Sequence, residues 1–221
     1  MEKPRTSIVK NDFKKVRSSK NNLESLEYFN DSLSLFDETA STPCCSKRGL
    51  SGACFSEDRR FRYALWRRWN QGRTIAFLLL NPSIANEEQL DNTLRRCQGT
   101  AKDLGYAGFE VANVFPLVST DRSQVIKTPD RDGEIGRNHE HISEMLGRCG
   151  ALVLGFGHEV TRPPLRYVIK DLRKLFERLG KEGMPSPQAL RITEQHLPQH
   201  PLYLPKGLVP QPYTDWPEWT K

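Results

Sequence analysis

No apolar run in this chain approaches the roughly 18 consecutive residues that a membrane-spanning helix needs; Ile75 to Leu80, in the middle of the sequence, is six residues long. The N-terminal segment also lacks the apolar stretch of a secretion signal, so a cytoplasmic protein without a membrane partner is expected. Cysteine is scarce, with five residues (Cys44, Cys45, Cys54, Cys97 and Cys149) and no CxxC pair. In a reducing compartment an odd, scattered set reads mostly as free thiols packed as small apolar groups. No histidine lies near Cys44, Cys45 and Cys54, and their spacing fits no common zinc pattern, so neither a metal nor a cofactor is expected. Strong charge of either sign is missing as well. Lys and Arg number 33 against 27 Asp and Glu, a net charge of +6 with a pI near 9.1. That is a mild lean toward polyanions, far from a histone-like excess.

What is present divides the 221 residues into an arm, a domain and a tail. Residues 1–46 hold few core formers, and the first twenty carry seven Lys or Arg against Glu2 and Asp12. They read as a basic arm too polar to offset its own ordering entropy. Leu23, Leu26, Phe29, Leu33 and Phe36 recur at helical spacing, so a short docking helix is the alternative there. A single α/β domain is expected over 47–213 and a tail over 214–221.

Within the domain, Ala53 to Ser56 and Phe61 to Trp69 read as strands. In the second, Phe61, Tyr63 and Leu65 alternate with Arg60, Arg62 and Ala64. Asn70-Gln71-Gly72-Arg73 reads as a turn into Thr74 to Leu80, which predicts an N-terminal β-hairpin whose second half is the central strand. Helices are predicted over Asp91 to Leu104, Glu134 to Arg148 and Leu165 to Leu179, and further strands over Phe109 to Val114, Ala151 to Gly155 and Ala189 to Thr193. This alternation predicts a three-layer α/β/α domain with a mostly parallel central sheet. The polar stretch from Leu117 to Gly133 is long for a connection in such a domain and reads as a functional loop or lid.

In an open α/β sheet, ligands bind beyond the carboxyl ends of the strands. The candidate site therefore gathers Asn81-Pro82-Ser83 after the central strand, Asn113 after the next, Gly155 and Gly157 after the third, and the late loop holding His200, Pro201 and Tyr203. Asn81 can hold a water or read a base edge, and equally reads as a turn residue before proline. Asp91 reads as a helix N-cap and as a candidate general base. His200, between Pro198 and Pro201, can donate to a carbonyl or a developing oxyanion. Arg95 and Arg96 add an anion-attracting surface near the helix start. Arg67, Arg68 and Arg73, interleaved with Trp66 and Trp69, form a candidate nucleic-acid contact or an edge with packed tryptophans. Ser83 lacks a GxSxG elbow and partner residues, which argues against a nucleophile. His139 and His141, two apart on a helix, point to different faces and read as surface histidines.

Six linked stretches, FRYALWRRW, LLLNPSIAN, DNTLRRC, VANVFPL with STD, LVLGFG and HPLYLP, together resemble the bacterial and phage family of unknown function called DUF 1643. The resemblance runs from about Gly52 to Pro205. Ile84 and Asn86 stand where that family commonly has threonine and aspartate. A strand ending in Asn-Pro-small with a late His-Pro loop is also similar to the layout of uracil and mismatch-specific DNA glycosylases. That second resemblance implies that Asn81 positions a water at the sugar C1′, that His200 polarises the base carbonyl, and that Leu202 or Tyr203 wedges into the groove. It also implies a DNA or nucleotide substrate. The expected function is thus action on a nucleobase, nucleotide or nucleic acid, in the form of an N-glycosidic hydrolase. The alternatives are a noncatalytic module binding nucleic acid or protein, and an enzyme on small phosphorylated substrates.

Overall fold

Every position from Ile75 to Leu80 is apolar because both faces of this strand are covered. Ala76, Leu78 and Leu80 enter one buried cluster, whereas Ile75, Phe77 and Leu79 enter another, and such two-sided burial erases the alternation of a half-exposed strand. The structure, a computed structural model, describes residues 49–83, 89–127, 130 and 133–221. The basic arm, its helix-like spacing, Cys44, Cys45, Ile84 and Asn86 lie outside the described residues.

The elements in chain order are β1 (Ser51–Phe55), β2 (Arg62–Arg68), β3 (Thr74–Leu79), α1 (Asn92–Asp103), β4 (Gly108–Asn113), α2 (Arg122–Lys127), α3 (Glu134–Arg148), β5 (Cys149–Leu154), α4 (Pro163–Lys181), β6 (Pro187–Ala189) and β7 (Gln211–Pro212). The seven strands form one sheet in the order β1-β2-β4-β3-β5-β6-β7. Its centre is parallel, with β3 paired to β4 and β5, and β5 to β6. β1–β2, β2–β4 and β6–β7 are antiparallel. The sheet is therefore mixed, not mostly parallel as the alternating pattern predicts. Helical crossovers enforce parallel pairing only where they occur, and both edges of this sheet are built without them.

The predicted hairpin is also corrected. β2 and β3 are not neighbours, because β4 lies between them: Val111 pairs with Leu65 on one side and with Phe77 on the other. The connection wraps around the start of β4, where Trp69 N and Asn70 N donate to Ala107 O and Ala107 N donates to Arg73 O. The strand that fills this opening comes from more than thirty residues downstream, so no local pattern announces it. The actual hairpin is β1–β2.

α1 contributes Leu94, Cys97 and Ala101 to the cluster on one face of β3. α3 and α4 supply the other cluster, α4 with Leu165, Val168, Ile169, Leu172, Leu175, Phe176 and Leu179 at helical spacing. Residues after Tyr213 pack on α4 as well: Trp216 meets the Phe176 ring at 6.3 Å and Arg173 donates to Thr220 Oγ1 at 3.1 Å. Two thiols, Cys97 and Cys149, are buried, and burial pushes the Cys97 thiol well up from its ordinary value. Cys54, by contrast, is disulfide-bonded. The histidine expectation fails at His141, which is buried and stacked on Tyr63 with ring centroids 4.6 Å apart. It shares the inner face of α3 with Ile135, Asn138, Ile142 and Met145, so its position on the helix outweighs its polarity. No helix among the described residues is long and apolar enough to cross a membrane.

Candidate functional site

From β3 the chain first crosses to β4 on one side, and β5 is later added on the other. The two neighbours part at the carboxyl end of β3, which is where a crevice opens in such sheets. A cavity of about 560 Å³ occupies this position. Its wall brings together Asn81, Ser83, Asp91, Asn113, Gly157, His200 and Tyr203 from the residues read in the sequence.

Asn81 is held by its own side chain, whose Nδ2 donates to Pro82 O at 3.0 Å and to Ser119 O at 2.9 Å. Both donors are thereby used, and Oδ1 keeps its acceptor capacity. Pro82 is buried beneath it, and its carbonyl also accepts from Ser119 N at 3.0 Å. Part of the long loop after β4 is thus fastened to the end of β3. Asp91 is the N-cap of α1, its Oδ1 accepting from Leu94 N at 2.8 Å, with its second oxygen outside that bond. His200 opens a short 3-10 turn, Pro201–Tyr203, and its Nδ1 accepts from Leu202 N at 3.4 Å. A ring accepting through Nδ1 carries its proton on Nε2 when neutral.

Glycine serves this site in two ways. A Cβ on Gly155 would lie 2.6 Å from Pro201 Cδ, so Gly155 lets the His200 loop close onto β5 and, like Pro201, stays off the cavity wall. Gly157 takes a φ of +75° and its N donates to Pro198 O at 3.0 Å. That left-handed turn, which glycine adopts freely, ties the strand end to the same loop.

Arg62 is a site residue that reading the sequence misses. Only 2% exposed, it lines the cavity and its Nη2 donates to Asn113 Oδ1 at 3.3 Å. It lies at the start of β2, which the antiparallel pairing sets beside the end of β4. Asn113 in turn is fixed from α3, where Asn138 Nδ2 donates to Asn113 O at 2.8 Å and Val114 O at 3.2 Å. Thr120, His158, Glu159, Thr193 and Gln199 add to the polar lining. His158 and Glu159 directly follow the Gly155-Phe156-Gly157 motif, so that motif marks their position in the sequence.

The remaining arginines lie elsewhere. Arg95 and Arg96 line a separate groove on α1. Arg67, Arg68 and Arg73 gather at the opposite end of the strands, where Arg68 pairs with Gly108, which itself pairs with Thr74 at the start of β3. Arg67 donates to Trp66 O at 2.8 Å, and Arg68 donates to Asn70 O and Gly72 O. Arg68 thus clamps the connecting turn, and Trp66 and Trp69 pack nearby, Trp69 against Phe109.

Among the described residues no group of three or more His, Cys, Asp or Glu side chains is placed to hold a metal ion. The family described as "Protein of unknown function (DUF1643)" matches residues 62–202. The chain belongs to the DUF1643 family. The matched span starts at Arg62 and ends at Leu202, two residues that line the cavity, so in this DUF1643 protein it takes in nearly the whole wall. No curated protein and no solved structure matches the chain.

Proposed function

We propose that this protein acts on a nucleobase carried by a nucleotide or nucleic acid, most concretely as an N-glycosidic hydrolase in a cytoplasmic setting. The reading takes the domain as three layers, with α1 on one face of the sheet and α3 and α4 on the other. One observation carries it: Asn81, Asp91 and His200, from three separate segments, meet at one cavity with complementary hydrogen-bond capacity.

In this mechanism Asn81 Oδ1 accepts a hydrogen from a water and aims its oxygen at the sugar C1′. The water oxygen bonds to C1′ as the bond from C1′ to the base nitrogen breaks, its electron pair staying on the base. Asp91 takes the water's proton through the oxygen that does not cap α1, and that proton returns to the base on release. His200 Nε2–H donates to a base carbonyl, and the Arg62 guanidinium favours the negative charge that gathers there. The centre attacked is oxocarbenium-like, so a positioned water suffices without a strongly activated nucleophile.

The test is incubation of the purified protein with single- and double-stranded DNA carrying normal, deaminated and modified bases, with mass-spectrometric detection of free base. Release is expected, and Asn81→Ala and His200→Ala are each expected to lower it by about 10²-fold or more, the scale of a positioned proton-transfer group. Release unchanged in both variants overturns the glycosidic assignment. No release from any substrate, with salt-sensitive DNA binding intact, favours the noncatalytic binding module instead.

A further inference from the structure

A second cavity of about 460 Å³ lies along α1, lined by Asn92, Arg95, Arg96, Gly99, Thr100, Asp103, Leu202 and Lys206. Asn92 and Leu202 also line the first cavity, so the two share a wall. Three cations face one carboxylate in this groove. Elsewhere on the described surface Arg60, Arg137, Arg148, Arg162 and Arg173 each pair with an Asp or Glu. Among the described residues Arg95, Arg96 and Lys206 form no such pair. On the shared rim Leu202 is 38% and Tyr203 69% exposed, and an exposed ring there offers a stacking face.

We propose that this groove holds the phosphodiester backbone of a single nucleic-acid strand whose base enters the first cavity. This deepens the reading given above and rests on it. Adjacent helical positions diverge by about 100° around the axis, so Arg95 and Arg96 approach the groove from different sides. They suit successive phosphates along a strand better than a joint clamp on one phosphate. Lys206, from the loop after the Pro201–Tyr203 turn, supplies a charge from the facing side.

The experiment is fluorescence anisotropy of a short labelled oligothymidylate with the full chain across 50 to 200 mM salt. Two lost phosphate contacts, at about 0.7 each for single strands, should flatten the plot of log affinity against log salt by about 1.4 in the Arg95→Ala/Arg96→Ala double variant. Over that fourfold salt rise the wild type then weakens about sevenfold more than the variant. The Arg95→Lys/Arg96→Lys double variant should regain most of the slope, since point charge carries the effect. The basic arm is common to all three proteins and cancels in the comparison. An unchanged slope overturns the proposal, as does thymidine monophosphate competing as well as the oligomer. Asn81→Ala should keep the wild-type slope. A flattened slope without base release from any substrate leaves the groove standing and the reaction fallen; release with an unchanged slope does the reverse.

Discussion

A single methyl group at Gly155 decides whether the site can close. The added carbon would meet Pro201 Cδ at 2.6 Å, Pro201 Cγ at 3.0 Å and Leu79 Cδ2 at 3.2 Å. A proline ring has little freedom to swing aside, so the His200 loop must move. Gly155→Ala is accordingly expected to cost about 1–3 kcal/mol, the usual range for overpacking, and to lower base release further than that stability loss explains. Gly136→Ala in α3 is the control, because nothing lies within 4 Å of an added Cβ there, the residue lines neither cavity and alanine favours the helix by about 1 kcal/mol. Thermal melts alongside release assays check both; full release by Gly155→Ala would show that the loop does not depend on this contact. The sequence announces Gly155 as a residue near a ligand, and the structure makes it a residue near a loop. A glycine motif signals close approach, but the chain alone does not say what approaches.

At the scale of elements, Asp91 combines two roles that substitution can separate. It caps α1, and it lines the cavity. Asparagine caps a helix about as well as aspartate, whereas alanine loses about 0.5–2 kcal/mol. Asp91→Asn is therefore expected to keep the melting temperature and lose base release, while Asp91→Ala loses both. Retained release in Asp91→Asn would reduce the residue to a cap. This helix was legible in the sequence to within a residue at each end, because its cap, its apolar spacing and its terminal glycine agree. α3 is found over the very residues that its pattern marks, and β3 follows from its unbroken apolar run. The failures share one cause. The hairpin and the surface His141 were read from local pattern or polarity and Arg62 was passed over, and each is decided by a partner distant in the chain: β4 between β2 and β3, Tyr63 against His141, and Asn113 against Arg62. The site was legible where residues end strands, and hidden where a wall is completed across the sheet.

The whole molecule holds two groups, the half-buried His139 and the buried Tyr63, whose titration frames its stability. Burial lowers the His139 pKa from its ordinary 6.5, with Asp171 and Asp130 opposing and Arg178 adding to the shift. The folded state then binds this proton less readily than the unfolded chain, so the contribution of a neutral His139 is present above about pH 6.5 and is lost as pH falls through the lowered value. Tyr63 does the opposite. Burial, together with the hydrogen bond to Glu134, pushes its hydroxyl up to about 12, against the pull of Arg137. Its contribution is present below pH 10 and is lost as pH rises from 10 toward 12. Stability is thus expected to be nearly level, as far as these two groups set it, between about pH 7 and 10 and to fall on both sides. Melting temperatures across pH 5 to 11 check this. His139→Gln should soften the acid limb and leave the alkaline limb alone, while Tyr63→Phe should soften the alkaline limb alone, at a cost of about 1 kcal/mol at neutral pH for the lost bond to Glu134. If either substitution alters both limbs equally, the two groups are coupled through α3, which carries His139, Glu134 and Arg137 together, and the profile then belongs to the helix as a unit.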